Sequence, residues 1–214
     1  KLEKDIVQRR VDRLIEAGIQ FHSNFEVGRE ASLAEMRDRF DAVLIATGVY
    51  KARALTVPGA GLEGVYPAMD YLTASNRMGL GDKVPAFENG TLDAKGKRVV
   101  VIGGGDTAMD CVRTAVRQGA VSVRCLYRRD RENMPGSRRE VEHAEEEGIE
   151  FVWLTAPQAV LGDDRVSGIR AVKIRLGAPD ASGRQTPEII EDSVHTIDAD
   201  LVITALGFDP ENLP

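Results

Sequence analysis

The sequence predicts an α/β fold in which a parallel sheet carries helices and a β-meander is added to it. Three features carry this prediction. The β-branched run Arg98 to Ile102 passes through glycines straight into a helical pattern, two strand-like runs follow at helix-length intervals, and a helix–glycine–strand pattern occurs twice. Size and composition agree. The 214 residues suffice for one large or two small domains, and 43% hydrophobic with 29% charged residues describes a folded chain rather than a disordered one.

Lys1 to Ala17 sets apolar Ile6, Val7, Val11, Leu14 and Ile15 at helical spacing and stops at Gly18. Ile19 to Phe21 reads as a strand, and so does Asp41 to Gly48, whose uniformly apolar centre predicts burial. Arg53 to Gly96 is rich in Gly, Pro, Asn and Asp and reads mostly as connection, with a short helix near Ala68 to Ser75. A strand over Lys97 to Ile102 and a helix over Thr107 to Gln118, closed by Gly119, come next. They are followed by a strand over Val121 to Tyr127, an acidic helix over Arg138 to Glu147 and a strand over Ile149 to Leu154. Val166 to Leu176 and Ile189 to Ile197 flank the polar turn Pro179 to Gly183 as an antiparallel hairpin or meander, and Leu201 to Ala205 is a buried strand.

Composition excludes several classes of function. Lys+Arg of 28 against Asp+Glu of 34 leaves a net charge of −6 with the basic residues dispersed, so no nucleic-acid surface is expected. No apolar run approaches the roughly 20 residues that cross a bilayer, and no signal-peptide pattern opens the chain. Cys111 and Cys125 have neither metal nor disulfide-scaffold spacing, which makes a reducing cytoplasm the default compartment.

The repeat is the main organisational clue. A shift of 130 residues pairs Arg9 with Arg139, Val11 with Val141, Gly18 with Gly148, Ile19 with Ile149 and Phe21 with Phe151 without a gap. Asp41 to Gly48 aligns with Asp200 to Gly207 at a shift of 159, the added hairpin accounting for the difference. Two copies of one α/β unit are implied. The second owns the strand and glycine loop of residues 98–108, whereas the counterpart in the first would fall ahead of Lys1, so the sequence reads as part of a longer chain.

Gly103, Gly104, Gly105, Asp106, Thr107 and Ala108 match G-x-G-x-x-A between a strand and a helix, a Rossmann-like dinucleotide signature. Gly103 permits the tight turn, Gly105 lets backbone approach a pyrophosphate, and Ala108 allows close helix–strand packing, while the helix N-terminus attracts phosphate. The bland alternative is a glycine-rich turn without ligand. Asp106 is either an N-cap or a ligand contact, and Thr107 can donate to phosphate. At the end of the second strand, where an acidic residue would select NAD, stand Arg128 and Arg129. Arginine suits a 2′-phosphate, so the pair points to NADPH unless it is a solvated charge run with Arg131; the adjacent Asp130 keeps the acidic reading open. His22, His143 and His195 lie in unrelated segments, and Trp153 and Cys111 read as packing residues. No acid–base or nucleophile constellation emerges, which suits hydride transfer carried by a cofactor.

With Gly103 to Cys111, the segment Leu126 to Val141 resembles the two-dinucleotide-binding-domain flavoproteins, and within them the small (β) subunits of NADPH-dependent glutamate synthase. So does Lys1 to Lys4 with Val7, Arg9 and Arg10. The resemblance implies an NADPH-binding domain inserted into an FAD-binding one: residues 1–52 a partial FAD-binding domain, 53–97 a connecting segment, 98–207 the NADPH-binding domain and 208–214 the return crossing. It makes Ala46, Thr47 and Gly48 the outward crossing and Gly207 with Phe208, Asp209 and Pro210 the return. It also implies FAD, iron–sulfur clusters whose ligands have no counterpart here, and a glutamate synthase large subunit as partner. The implied activity is oxidation of NADPH by FAD with electrons passed on for glutamate synthesis, the chain alone keeping only the NADPH part. A related ferredoxin–NADP reductase or dihydropyrimidine dehydrogenase-like electron-transfer subunit and a non-redox NADP-binding module are the alternatives.

Overall fold

The computed structural model describes residues 3–179, 183, 185–210 and 212. Lys1 and Leu2, most of the expected 179–183 turn and the end of the 208–214 crossing lie outside the described residues. The chain divides into two compact units, one reaching to Tyr50 and taking in the residues from Pro210, the other spanning Lys51–Asp209.

The first unit holds helices α1 (Lys4–Glu16) and α2 (Leu33–Arg39). The Ser32–Glu35 capping box starts α2, with Ser32 accepting from the Glu35 N–H and the Glu35 carboxylate accepting from the Ser32 N–H. Neither expected strand forms. Ile19 to Phe21 and Asp41 to Gly48 have no ladder, and Leu44 is 90% exposed where burial was expected. The reason is that an extended segment needs a neighbour for its backbone groups. Among the described residues, this unit's single β contact is the Val27–Ala31 bridge.

In the second unit come β1 (Lys51–Ala52), β2 (Val65–Pro67), α3 (Ala68–Gly79), α4 (Pro85–Glu88), β3 (Arg98–Ile102) and α5 (Asp106–Arg117). They are followed by β4 (Ser122–Tyr127), α6 (Arg138–Glu146), β5 (Glu150–Trp153), β6 (Thr155–Gly162) and β7 (Val166–Pro179), then β8 (Gln185–Ile189), β9 (His195–Asp198), β10 (Leu201–Thr204) and β11 (Phe208–Asp209). A five-stranded sheet runs in the order β2-β10-β3-β4-β5, and every neighbouring pair is parallel.

Period-two alternation divides the strand side chains between two cores. Val99, Val101, Val123, Cys125, Leu201 and Ile203 face a core shared with Ala108, Cys111, Val112 and Ala115 of α5, Tyr71 of α3 and Val141 of α6. Val100, Ile102, Leu126 and Val202 face the opposite way, onto Val160, Val166, Ile169 and Ile197 of a second, antiparallel sheet in which β7 pairs with β6, β8 and β9. Helices, parallel sheet and meander therefore form three layers. Arg98 anchors the sheet centre, its backbone N–H and guanidinium both donating to Asp200 at 2.7–2.9 Å.

Three elements depart from the sequence reading. From the stretch read mostly as connection, β2 joins the parallel sheet and α3 buries Ala68, Tyr71 and Ala74; a three-residue strand ending in Pro67 leaves no alternating pattern to read. β6 pairs with β7 despite Pro157, because a register shift at Pro157/Ala159 accommodates a residue that cannot donate. The expected Ile189 to Ile197 strand is split, with Ile189 in β8 and His195 starting β9. Between them the Ser193 hydroxyl takes the Lys173 N–H at 2.9 Å in place of a ladder bond.

Candidate dinucleotide-binding site

β3 lies at the point where connections diverge: the chain runs from β3 to β4 on one side, while the neighbour on the other side, β10, arrives later from the meander. In an open parallel sheet that switch point leaves a crevice beyond the carboxyl ends of the strands. The glycine loop sits there.

Its three glycines do different work. Gly103 has φ +148°, and a Cβ there would lie 2.2 Å from the Ala205 carbonyl oxygen just after β10, so only glycine fits. A Cβ on Gly104 would come within 2.5 Å of the Tyr127 ring. At Gly105, by contrast, a Cβ would meet nothing within 4 Å and the backbone is ordinary extended chain with φ −91°. Gly103 and Gly104 thus serve packing, whereas Gly105 borders open space. The helix that follows has no side-chain cap, and among the described residues the N–H groups of Gly104, Gly105, Asp106 and Thr107 have no intramolecular acceptor. This is an anion cradle of the kind a phosphate fills. Ala108 is fully buried, which lets α5 lie close on the sheet.

The structure departs from the N-cap reading of Asp106. Gly105 is the N-cap, and Asp106, in the first turn, accepts the Ser137 N–H on Oδ1 at 2.8 Å. Thr107 is half-buried beside it.

β4 runs beside β3 with Leu126 opposite Ile102, so Arg128 and Arg129 emerge next to the glycine loop. The two arginines then part. Arg129 is half-buried and donates to the Gln185 carbonyl at 3.4 Å, whereas Arg128 is exposed with no hydrogen bond or ion pair among the described residues. Arg131 pairs with Glu145 at 2.8 Å, and Asp130 accepts from both the backbone and side-chain nitrogens of Asn133. Of Arg128, Arg129 and Arg131, only Arg128 is left without a partner among the described residues. Cys125 lies beneath the loop, its Sγ donating to the Gly103 carbonyl at 3.3 Å, with burial pushing the thiol up to about 12.

The crossing residues divide between the two units. Ala46, Thr47 and Gly48 belong to the first unit and are exposed, Gly48 with φ +72°. Gly207, with φ +89°, accepts the Arg53 N–H and leads into β11, which pairs antiparallel with β1. An Arg53–Asp209 ion pair at 2.8 Å ties the two strands. Sequence reasoning met Gly136 and Ser137 only within the Leu126 to Val141 resemblance and gave them no role in the site. The pattern Ser137-x-x-Glu140 signals only the start of α6, where the Ser137 hydroxyl accepts the Glu140 N–H.

These features define a dinucleotide-binding α/β domain. The chain belongs to the pyridine nucleotide-disulphide oxidoreductase family, whose model matches residues 2–213. Over 214 residues it is 65% identical to the glutamate synthase [NADPH] small chain of Azospirillum brasilense, and 63% identical to the putative glutamate synthase [NADPH] small chain of Cereibacter sphaeroides. It spans 44% and 51% of those proteins, about half of their length, and all of its own residues are covered. The resemblance read from Gly103 to Cys111 and Leu126 to Val141 therefore extends across the whole chain. Mycobacterium tuberculosis FprA in complex with NADPH shares the fold with a TM-score of 0.77, over 99% of this chain and 60% of FprA, at 21% identity. Among the described residues no helix is long and apolar enough to cross a membrane.

Proposed function

We propose that this chain is the NADPH-binding part of a flavin-dependent oxidoreductase of the glutamate synthase small-subunit type. The open space at Gly105, bordered by unclaimed N–H groups, carries the reading. It is the place in the loop where a phosphate can approach backbone. Arg128, exposed one residue beyond β4, supplies the cation for a 2′-phosphate, with Arg129 behind it.

When bound, NADPH supplies the hydride. This chain binds and orients it through the cradle of Gly103 to Ala108. In the whole protein we assign residues 1–52 and 208–214 to the FAD-binding side, residues 53–97 to the connection and 98–207 to NADPH, with Ala46, Thr47, Gly48 and Gly207 at the crossings. FAD is the acceptor in this reading, and electrons pass by way of iron–sulfur centres to a glutamate synthase large subunit in the cytoplasm. The 65% and 63% identities to small chains support it.

Titration calorimetry of the full chain tests the reading. NADPH should bind roughly 10- to 150-fold more tightly than NADH, the range of one charge-assisted contact of about 1.5–3 kcal/mol. Arg128→Ala should remove most of that preference. Gly105→Val should abolish binding of both nucleotides while the unfolding midpoint stays near wild type, because its side chain enters open space. Equal affinities for the two nucleotides, or undiminished binding by Gly105→Val, would overturn the assignment.

A further inference from the structure

The segment that follows Arg128 turns back onto the glycine loop and is fastened to it. Gly136 donates its N–H to the Gly104 carbonyl at 2.9 Å, and Ser137 donates its N–H to Asp106 Oδ1 at 2.8 Å. Gly136 is buried, and a Cβ there would stand 3.1 Å from the same Gly104 oxygen, so the two backbones touch. Within the segment, Asp130 holds the Asn133 N–H at 2.9 Å, and Tyr127, whose ring covers Gly104, donates its hydroxyl to the Asn133 carbonyl at 3.0 Å. Arg128 therefore sits on a loop with both ends referenced to the phosphate cradle.

We propose that Asp106 is a positioning residue that locks the spacing between the pyrophosphate cradle and the 2′-phosphate cation Arg128, and so sets the preference for NADPH over NADH. This rests on the NADPH reading above. A ligand that bridges two subsites gains from their being held at the right separation, whereas a ligand that uses one of them does not. NADPH spans cradle and cation. NADH uses only the cradle, and adenosine 2′-monophosphate only the cation side. Asp106 acts through Ser137, since its carboxylate oxygen is committed to that N–H.

The experiment measures the affinities of the full chain for NADPH, NADH and adenosine 2′-monophosphate in wild type, Asp106→Ala and Asp106→Asn. Asp106→Ala should weaken NADPH about tenfold, or about 1.4 kcal/mol, while the other two ligands change less than twofold. Asp106→Asn keeps an acceptor oxygen and should restore NADPH to within about threefold of wild type. Amide exchange adds an independent readout: Ser137 should lose protection in the alanine variant and regain it in the asparagine variant. An equal loss for NADPH and NADH would place Asp106 on the shared part of the dinucleotide and overturn the proposal. Unchanged NADPH affinity, or a matching loss for adenosine 2′-monophosphate, would do the same. A wild type that does not prefer NADPH would instead overturn the reading beneath it, before any variant is compared.

Discussion

Residues 8–21 and 138–151 share a sequence pattern, a register and a helix stop, yet only the second passes into a sheet. α1 and α6 end alike. Gly18 and Gly148 both adopt left-handed φ, +92° and +86°, and the Ile19 and Ile149 N–H groups reach back to the Leu14 and Ala144 carbonyls in matching Schellman turns. Beyond the turn they diverge. Ile149 is 5% exposed and Phe151 pairs with Cys125 of β4, stacking on Trp153 at 4.8 Å. Ile19 and Phe21 are 47% and 57% exposed and belong to no strand. α6 buries Val141 and Ala144, and α1 buries nothing. A helix and its stop are thus fixed by short-range hydrogen bonds, whereas a strand exists only where a neighbour offers a ladder.

The sharpest way to test that difference uses the single tryptophan. Trp153, in β5, reports the second unit. Gly103→Ala forces a Cβ against the Ala205 carbonyl at a φ that disfavours side chains, and should lower the urea stability read by Trp153 by at least about 3 kcal/mol. Gly18→Ala puts a side chain at a left-handed φ of +92°, but in the other unit, so its effect on the Trp153 transition should stay below about 0.5 kcal/mol. A clear loss at Trp153 for Gly18→Ala, of about 1 kcal/mol or more, would mean that the units unfold as one.

A smaller contrast is expected at the equivalent helix positions Val141 and Val11. Val141 is 3% exposed in the α5–α6 core, and truncation to alanine should cost about 2 kcal/mol from lost burial and the cavity left behind. Val11 is only partly covered, and alanine's better helix propensity offsets much of the loss, so Val11→Ala should change stability by less than about 0.5 kcal/mol. A cost for Val11→Ala as large as that for Val141→Ala would show that α1 is packed in solution.

These contrasts also mark what could be read from residues alone. The β3–glycine–α5 unit and the β10 run were legible because Val99 to Ile102 and Leu201 to Ile203 are uninterrupted apolar runs, and β4 because apolar residues dominate it from Cys125 to Tyr127. Asp41 to Gly48 has the same composition and misled for that reason, since composition encodes the wish for a sheet and not its presence. The nucleotide site was half legible. Gly103 and Gly105 announced themselves by motif, but the use of Gly104 depends on a ring, Tyr127, that is distant in sequence. The Gly136 and Ser137 ties to the cradle run through backbone N–H groups, which have no residue-type signature. The capping-box helix α2 carried a readable signal in Ser32 and Glu35 that the surrounding polarity concealed.

The smallest expected effect concerns Asp200 and its counterpart at the 159-residue shift, Asp41. The Arg98 guanidinium hydrogen-bonded to Asp200 holds its carboxyl down at about 2, reinforced by the Arg98 backbone N–H and opposed by partial burial. A carboxylate whose pKa is lower in the folded protein stabilises it above the unfolded value, near 3.8, and that contribution is lost as pH falls toward about 2. Both side chains are about 40% exposed, so solvent screening reduces the contribution to about 0.5–1 kcal/mol. Asp200→Asn should accordingly lower stability slightly at neutral pH and flatten the Trp153-monitored loss between pH 4 and 2. Asp41 is exposed and has no hydrogen bond or ion pair among the described residues, so Asp41→Asn should change stability at neutral pH by less than about 0.5 kcal/mol. A loss for Asp41→Asn larger than that for Asp200→Asn would give Asp41 a structural role that the exposed chain around it does not provide.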